Sequence, residues 1–134
     1  MNKIKELLTR MPKWIFTFLT VLLILWLTLA PDPLGDDSPD LFPGADKVVH
    51  GIMFGFLTVM ILLDRERKGD WTTLGKPFIA IAGISSAALG IIIEFIQRAM
   101  DIGRGFEVSD MIADCIGALL CSVLWMWLQP RWSN

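Results

Sequence analysis

Residues 77–98 read PFIAIAGISSAALGIIIEFIQR. From Pro77 to Phe95 the only polar side chains are Ser85, Ser86 and Glu94. The apolar run is close to the ~20 residues that a helix needs to cross a ~30 Å hydrocarbon core. Gly83, Ala87, Gly90, Glu94 and Gln97 recur at steps of four and three. On a helix they fall on one stripe that carries small residues and polar ones together. Small residues let backbones approach closely in lipid, and a carboxylate turned toward acyl chains is costly. The stretch therefore predicts a membrane helix whose polar stripe faces a neighbour.

Three further apolar blocks have similar length: Trp14 to Ala30, Val48 to Leu63 and Val108 to Leu128. With 134 residues, 54% hydrophobic and 19% charged, the chain has room for one domain and too little polar sequence for the wet face of soluble helices. The expected architecture is all-α: one domain over residues 1–134, a four-helix transmembrane bundle with helices near 13–30, 46–63, 76–98 and 107–129. Trp14, Trp26, Trp71, Trp125, Trp127 and Trp132 lie at or near block ends, where an indole suits the headgroup level. The formal charge of −2, from 14 acids and 12 bases, leaves no basic surplus, so nucleic acid is not an expected partner. Cys115 and Cys121 sit six apart on a helical stretch and point in different directions, which excludes a local disulfide.

Charge in the connections sets an expected orientation. The N-terminal segment carries Lys3, Lys5, Arg10 and Lys13, and the second loop Arg65, Arg67, Lys68 and Lys76. The first loop carries Asp32, Asp36, Asp37 and Asp40. By the positive-inside rule both termini and the second loop are cytoplasmic, and the acidic first loop is outside. Pro12 and Pro77 suit the first turns of helices one and three. Thr28-Leu29-Ala30 resembles a signal cleavage site, but Pro31 directly after it obstructs a peptidase, so the first helix is read as a retained anchor. A multi-pass protein of the cell (cytoplasmic) membrane is expected.

In this orientation the chemistry gathers at the outer end. Asp46, Lys47 and His50 open helix two; Glu94, Gln97 and Arg98 close helix three; Arg104 and Glu107 lie in the outer loop; Asp110 and Asp114 occupy the start of helix four. At ~1.5 Å per residue from Val108, Asp114 lies roughly 9 Å along its helix, too deep to face lipid cheaply. Glu107, Asp110, Asp114, Gly117 and Cys121 share one rhythm, and Gly51 and Gly55 form a GxxxG pair. The ten polar residues are read as one ligand-binding cluster, with His50, Glu94 and Asp110 as candidate catalytic groups. The competing reading is a set of ion pairs and caps that hold short helices together. His50 with Glu94 and Asp114 has the chemistry of a metal site, but ligands from three helices have no diagnostic spacing, so neither metal nor cofactor is expected. Ser85, Ser86 and Ser109 lack a nucleophile motif.

Asp46-Lys47-Val48-Val49-His50, Glu94-Phe95-Ile96-Gln97, and Arg104 with Glu107, Asp110 and Asp114-Cys115-Ile116-Gly117 together resemble the VanZ-like family of small membrane proteins. The family pattern is D-K-x-x-H, E-x-x-Q and R-x-x-E-x-x-D, with an asparagine four residues after that aspartate; here Asp114 takes the asparagine's place. The resemblance runs from about Asp46 to Leu128 and implies a polar site at the outer face. It also implies an antibiotic-resistance connection, since the namesake is associated with lowered susceptibility to the lipid-bearing glycopeptide teicoplanin.

Two functions fit. One is non-enzymatic recognition of an amphipathic ligand: a membrane lipid headgroup, a cell-wall lipid precursor or a lipophilic glycopeptide. The other is an intramembrane enzyme acting on a lipid-phosphate headgroup, with His50 or Glu94 as general base and Arg98 and Arg104 stabilising phosphoryl charge. Proton relay or transport ranks below both, because four helices are few and the polar set lies at one end. The sequence is compatible with an oligomer.

Overall fold

A computed structural model describes residues 3–29, 45–68, 74–100 and 108–132, except for the side chains of residues 45, 46 and 130–132. Five helices follow in order: α1 (Lys3–Arg10), α2 (Ile15–Leu29), α3 (Ala45–Lys68), α4 (Lys76–Met100) and α5 (Val108–Trp132). No strand occurs among the described residues. α5 packs against both α3 and α4, and α2 closes the other side against the same two helices. Three helices, α3, α4 and α5, are long and apolar enough to span a membrane; a fourth span requires α1 and α2 to count as one path bent by 71°. Taken alone, the 15 residues of α2 reach about 22 Å, short of the ~30 Å hydrocarbon layer.

The outside of the bundle is apolar and much of its inside is polar. Val49, Ile52 and Phe56 on α3, Ile81, Ile84 and Ile92 on α4, and Ile116, Val123 and Trp127 on α5 are exposed. Thr58, Asp64, Arg67, Ser86, Glu94, Gln97, Asp114 and Ser122 are buried. In water this distribution would present a very large exposed apolar surface; lipid is the solvent it suits.

Close backbone approach makes the packing possible. A side chain on Gly117 would run into the backbone of Gly51, so α3 and α5 touch main chain to main chain. The α4 stripe behaves as its spacing predicts, with Gly83, Ala87, Gly90, Glu94 and Gln97 all buried. On α5 the fully inward line is Asp110, Asp114, Ala118, Ser122, Trp125 and Gln129. Gly117 and Cys121 lie beside that line and meet Gly51 and Gly55 of α3.

Four expectations need correction. Pro12 does not open a membrane helix: it lies in the bend between α1 and α2, where Trp14 adopts φ of 64°. α3 continues past Leu63 to Lys68, so Arg65, Arg67 and Lys68 belong to its last turn and not to a loop. Trp125 is 8% exposed and packs with Leu62, Ile79 and Ala82, so it is a core residue and not a headgroup anchor. Finally, buried polar residues are not confined to one end.

The opposite end holds a second polar cluster built around Arg67. Its Nε donates to Asp64 Oδ1 at 2.8 Å, and Nη2 lies 2.7 Å from the same oxygen. Nη1 donates to the carbonyls of Leu8 and Met11, and Nη2 to that of Pro12. Lys68 donates to Thr9 O at 2.8 Å. The C-terminal carbonyls of α1, which no intrahelical donor reaches, are thus satisfied by the end of α3. Asp64 Oδ2 in turn accepts from the backbone N–H and hydroxyl of Thr17, placing a carboxylate at the positive N-terminal end of α2.

Candidate functional site at the His50 end

At the other end, the first turns of α3 and α5 lie beside the last turns of α4. The local packing follows from the glycines: Gly51 and Gly117 draw α3 onto α5, and Gly90 leaves the space that Asp114 fills. A Cβ at position 90 would come within 2.6 Å of Asp114 Oδ2. These contacts bring His50 from α3 against two acids of α5 that are four residues apart, one helical turn, on a single face.

His50 Nδ1 lies 3.0 Å from Asp114 Oδ1. Its Nε2 faces Asp110 Oδ2 at 3.9 Å. Lys47, one turn before His50, reaches Asp110 Oδ1 with its ammonium at 3.3 Å. Asp114 is buried and Lys47 is the exposed member, with side-chain exposures of 1% and 37%. Glu94 arrives from α4 fully buried, and one of its oxygens lies with a nitrogen of His50 and an oxygen of Asp110 in a group spanning no more than 4.8 Å. With Asp114 ionised, the Nδ1–H of His50 donates to it, so the imidazole is turned and its Nε2 presented to Asp110.

Five of the ten residues expected in the cluster are therefore gathered: Lys47, His50, Glu94, Asp110 and Asp114. Gln97 is buried, but its Nε2 donates to Thr28 O at 2.7 Å and so fastens α4 to the end of α2. Arg98 is exposed. The side chain of Asp46, and Arg104 and Glu107 entirely, lie outside the described residues. The carboxylate grouped with His50 and Glu94 is Asp110, the same three residues read from the sequence as candidate catalytic groups; Asp114, which the sequence offered as the third member of a metal set, instead holds the far side of the imidazole. Several buried polar anchors escaped sequence reading, among them the Asp64–Arg67 pair and Gln129. Gln129 pairs with both backbone groups of Leu74 at 3.0 Å. A basic residue three positions after an aspartate on one helix is the sequence signal that marked the Asp64–Arg67 pair.

Beside the polar cluster a groove of about 630 Å³ runs between α3 and α5. Val48, Ile52, Phe56, Ile116 and Leu120 line it, glycines form its floor, and Lys47 stands in its wall. The volume lies within the ~300–1,000 Å³ usual for ligand pockets.

Comparison with protein families gives one result: the model for VanZ/LLP1 matches residues 3–129. No curated protein and no solved structure matches the chain.

Proposed function

The chain belongs to the VanZ/LLP1 family, and from that premise and the geometry of its polar end we propose that it recognises an amphipathic ligand in the cytoplasmic membrane. The head binds at Lys47, His50, Glu94 and Asp110, and an apolar chain lies in the groove between α3 and α5. One observation carries this reading: Lys47 contacts Asp110 in the polar cluster and also lines the groove. A headgroup and the tail attached to it therefore meet two continuous surfaces of opposite character. Membrane lipids, lipid-linked cell-wall precursors and lipophilic glycopeptides all have this form. For the last, the cellular consequence is lowered glycopeptide susceptibility.

The His50 end faces outward in this proposal. Lys3, Lys5, Arg10 and Lys13 belong to the segment that Arg67 and Lys68 bind, so the basic residues of the N-terminus and of the α3 end collect at the opposite end, where the positive-inside rule wants them. The test is native mass spectrometry of protein extracted with its lipids, together with glycopeptide susceptibility of expressing cells. Glu94→Ala with Asp110→Ala should lose bound lipid while helicity persists, and Ile52→Trp should lose it by filling the groove. If the double variant changes neither lipid retention nor susceptibility, recognition at this cluster is wrong.

The Asp114–His50 contact favours a second reading, hydrolysis or transfer at a lipid-phosphate head. A buried carboxylate that holds one imidazole nitrogen leaves the other oriented as a general base. Turnover of a lipid phosphate by the purified protein, abolished in His50→Ala, selects this reading over simple binding. Absence of turnover across a lipid panel removes it.

A further inference from the structure

We infer that the His50 end binds a divalent transition-metal cation, with His50 Nε2, Glu94 and Asp110 as ligands and Asp114 as the residue that positions the imidazole. The inference rests on reading this cluster as the ligand site and adds the agent that lets carboxylates receive an anionic head.

Three donors from three helices converge, and each is of a type that binds such ions: one imidazole nitrogen and two carboxylate oxygens. They lie within 4.8 Å of one another, and His50 Nε2 to Asp110 Oδ2 is 3.9 Å. Ligands at the usual ~2.0–2.2 Å from a tetrahedral ion stand about 3.4 Å apart, a closure that rotations about terminal side-chain bonds supply. Two of the donors are held from behind. Asp114 takes the Nδ1 side of the ring, which is the carboxylate–histidine arrangement that fixes the tautomer of metal-bound imidazoles. Lys47 takes the second oxygen of Asp110 and leaves Oδ2 toward the ring. A ring nitrogen bearing a lone pair, grouped with two carboxylate oxygens in a largely buried space, offers a cation three ligand atoms at once.

The charge balance explains what the ion does. Glu94, Asp110 and Asp114 place three carboxylates where the proposed function puts a ligand head, with Lys47 on the groove side. A phosphate approaching these acids is repelled, whereas a divalent ion with three protein ligands keeps a fourth position open for a phosphate or carboxylate oxygen. The residues bind the ion, and the ion with Lys47 binds the head.

His50 is the chain's single histidine, so imidazole ligation can be read at one residue. The protein is purified with a histidine-free tag, stripped with chelator and titrated with Zn²⁺ in nanodiscs. Wild type should take up one equivalent, and Zn²⁺ should protect His50 from acylation by diethyl pyrocarbonate. His50→Ala and Asp110→Asn should abolish uptake at unchanged helicity, and Asp114→Asn should weaken it ~10–100-fold, as loss of a carboxylate behind a ligand does. Wild-type protein that is helical and binds no Zn²⁺, or binds it while His50 remains fully reactive, overturns the inference, and neither measurement depends on a variant folding. Lipid retention by the metal-free protein separates the two claims: tight lipid without Zn²⁺ uptake removes the cation and leaves recognition, and Zn²⁺ uptake without lipid does the reverse.

Discussion

Arg67 shows what a single residue can carry here. It is fully buried, and its guanidinium joins Asp64 to three backbone carbonyls of the α1–α2 bend. Removing one member of a buried ion pair leaves the other uncompensated, at a typical cost of ~3–5 kcal/mol. Arg67→Ala should therefore lower the thermal midpoint in detergent sharply. Arg67→Lys should restore little, because a single ammonium cannot serve Asp64 and the carbonyls of Leu8, Met11 and Pro12 together. If Arg67→Ala unfolds at the wild-type temperature, the pair does not hold the bend. At the other end, Gly90→Ala should displace Asp114 and, through it, His50, reducing ligand retention more than stability; equal lipid binding in that variant would contradict the close packing of α4 on Asp114.

Among the helices, the α3–α5 contact decides the shape of the site. Gly117 meets the backbone of Gly51, so Gly117→Leu must push the two helices apart. An overpacked core typically loses ~1–3 kcal/mol, and here the groove and the His50–Asp114 distance change as well. Calorimetry and native mass spectrometry should both register the change; intact lipid binding in Gly117→Leu would place the ligand elsewhere. α1 makes a different prediction. Ile4 and Leu7 are exposed beside Lys3 and Lys5, the arrangement of a short helix lying in the headgroup plane. A nitroxide at position 7 should report a shallow depth and one at position 56 a deep one, and the opposite order would refute that placement. Periodicity revealed the three long helices because lipid-facing and inward-facing positions differ in kind: the stripe of Gly83, Gly90 and Glu94 on α4 could be read directly, whereas α1 was not foreseen. The bend at Trp14 was missed, since Pro12 suits a helix start as well as a break and the contacts that hold the bend come from Arg67, some fifty residues away in sequence.

Among the described residues the molecule is apolar outside and polar at both ends of its interior, a division that suits a membrane solvent. The class was legible in the four apolar blocks, and so was the convergence of His50, Asp110 and Asp114, because helical spacing and small residues specify which faces meet. The sequence placed Asp110 with His50 and Glu94 as catalytic candidates and Asp114 with them as a metal set, and could not decide between the two acids. Asp110 and Asp114 lie on the same face, and their roles divide only when the register of α3 against α5 is fixed by Gly51 and Gly117. Nor was the commitment of Gln97 to Thr28 legible, since it depends on where α2 ends. The central claim, that a ligand's head and tail occupy the cluster and the groove together, is tested most directly by a structure determined in native lipid. Continuous density should run from the space between Lys47, His50 and Asp110 into the channel walled by Ile52 and Phe56. A dry, closed network of ion pairs with acyl chains no better ordered there than on the Ile84 and Ile92 face would contradict it.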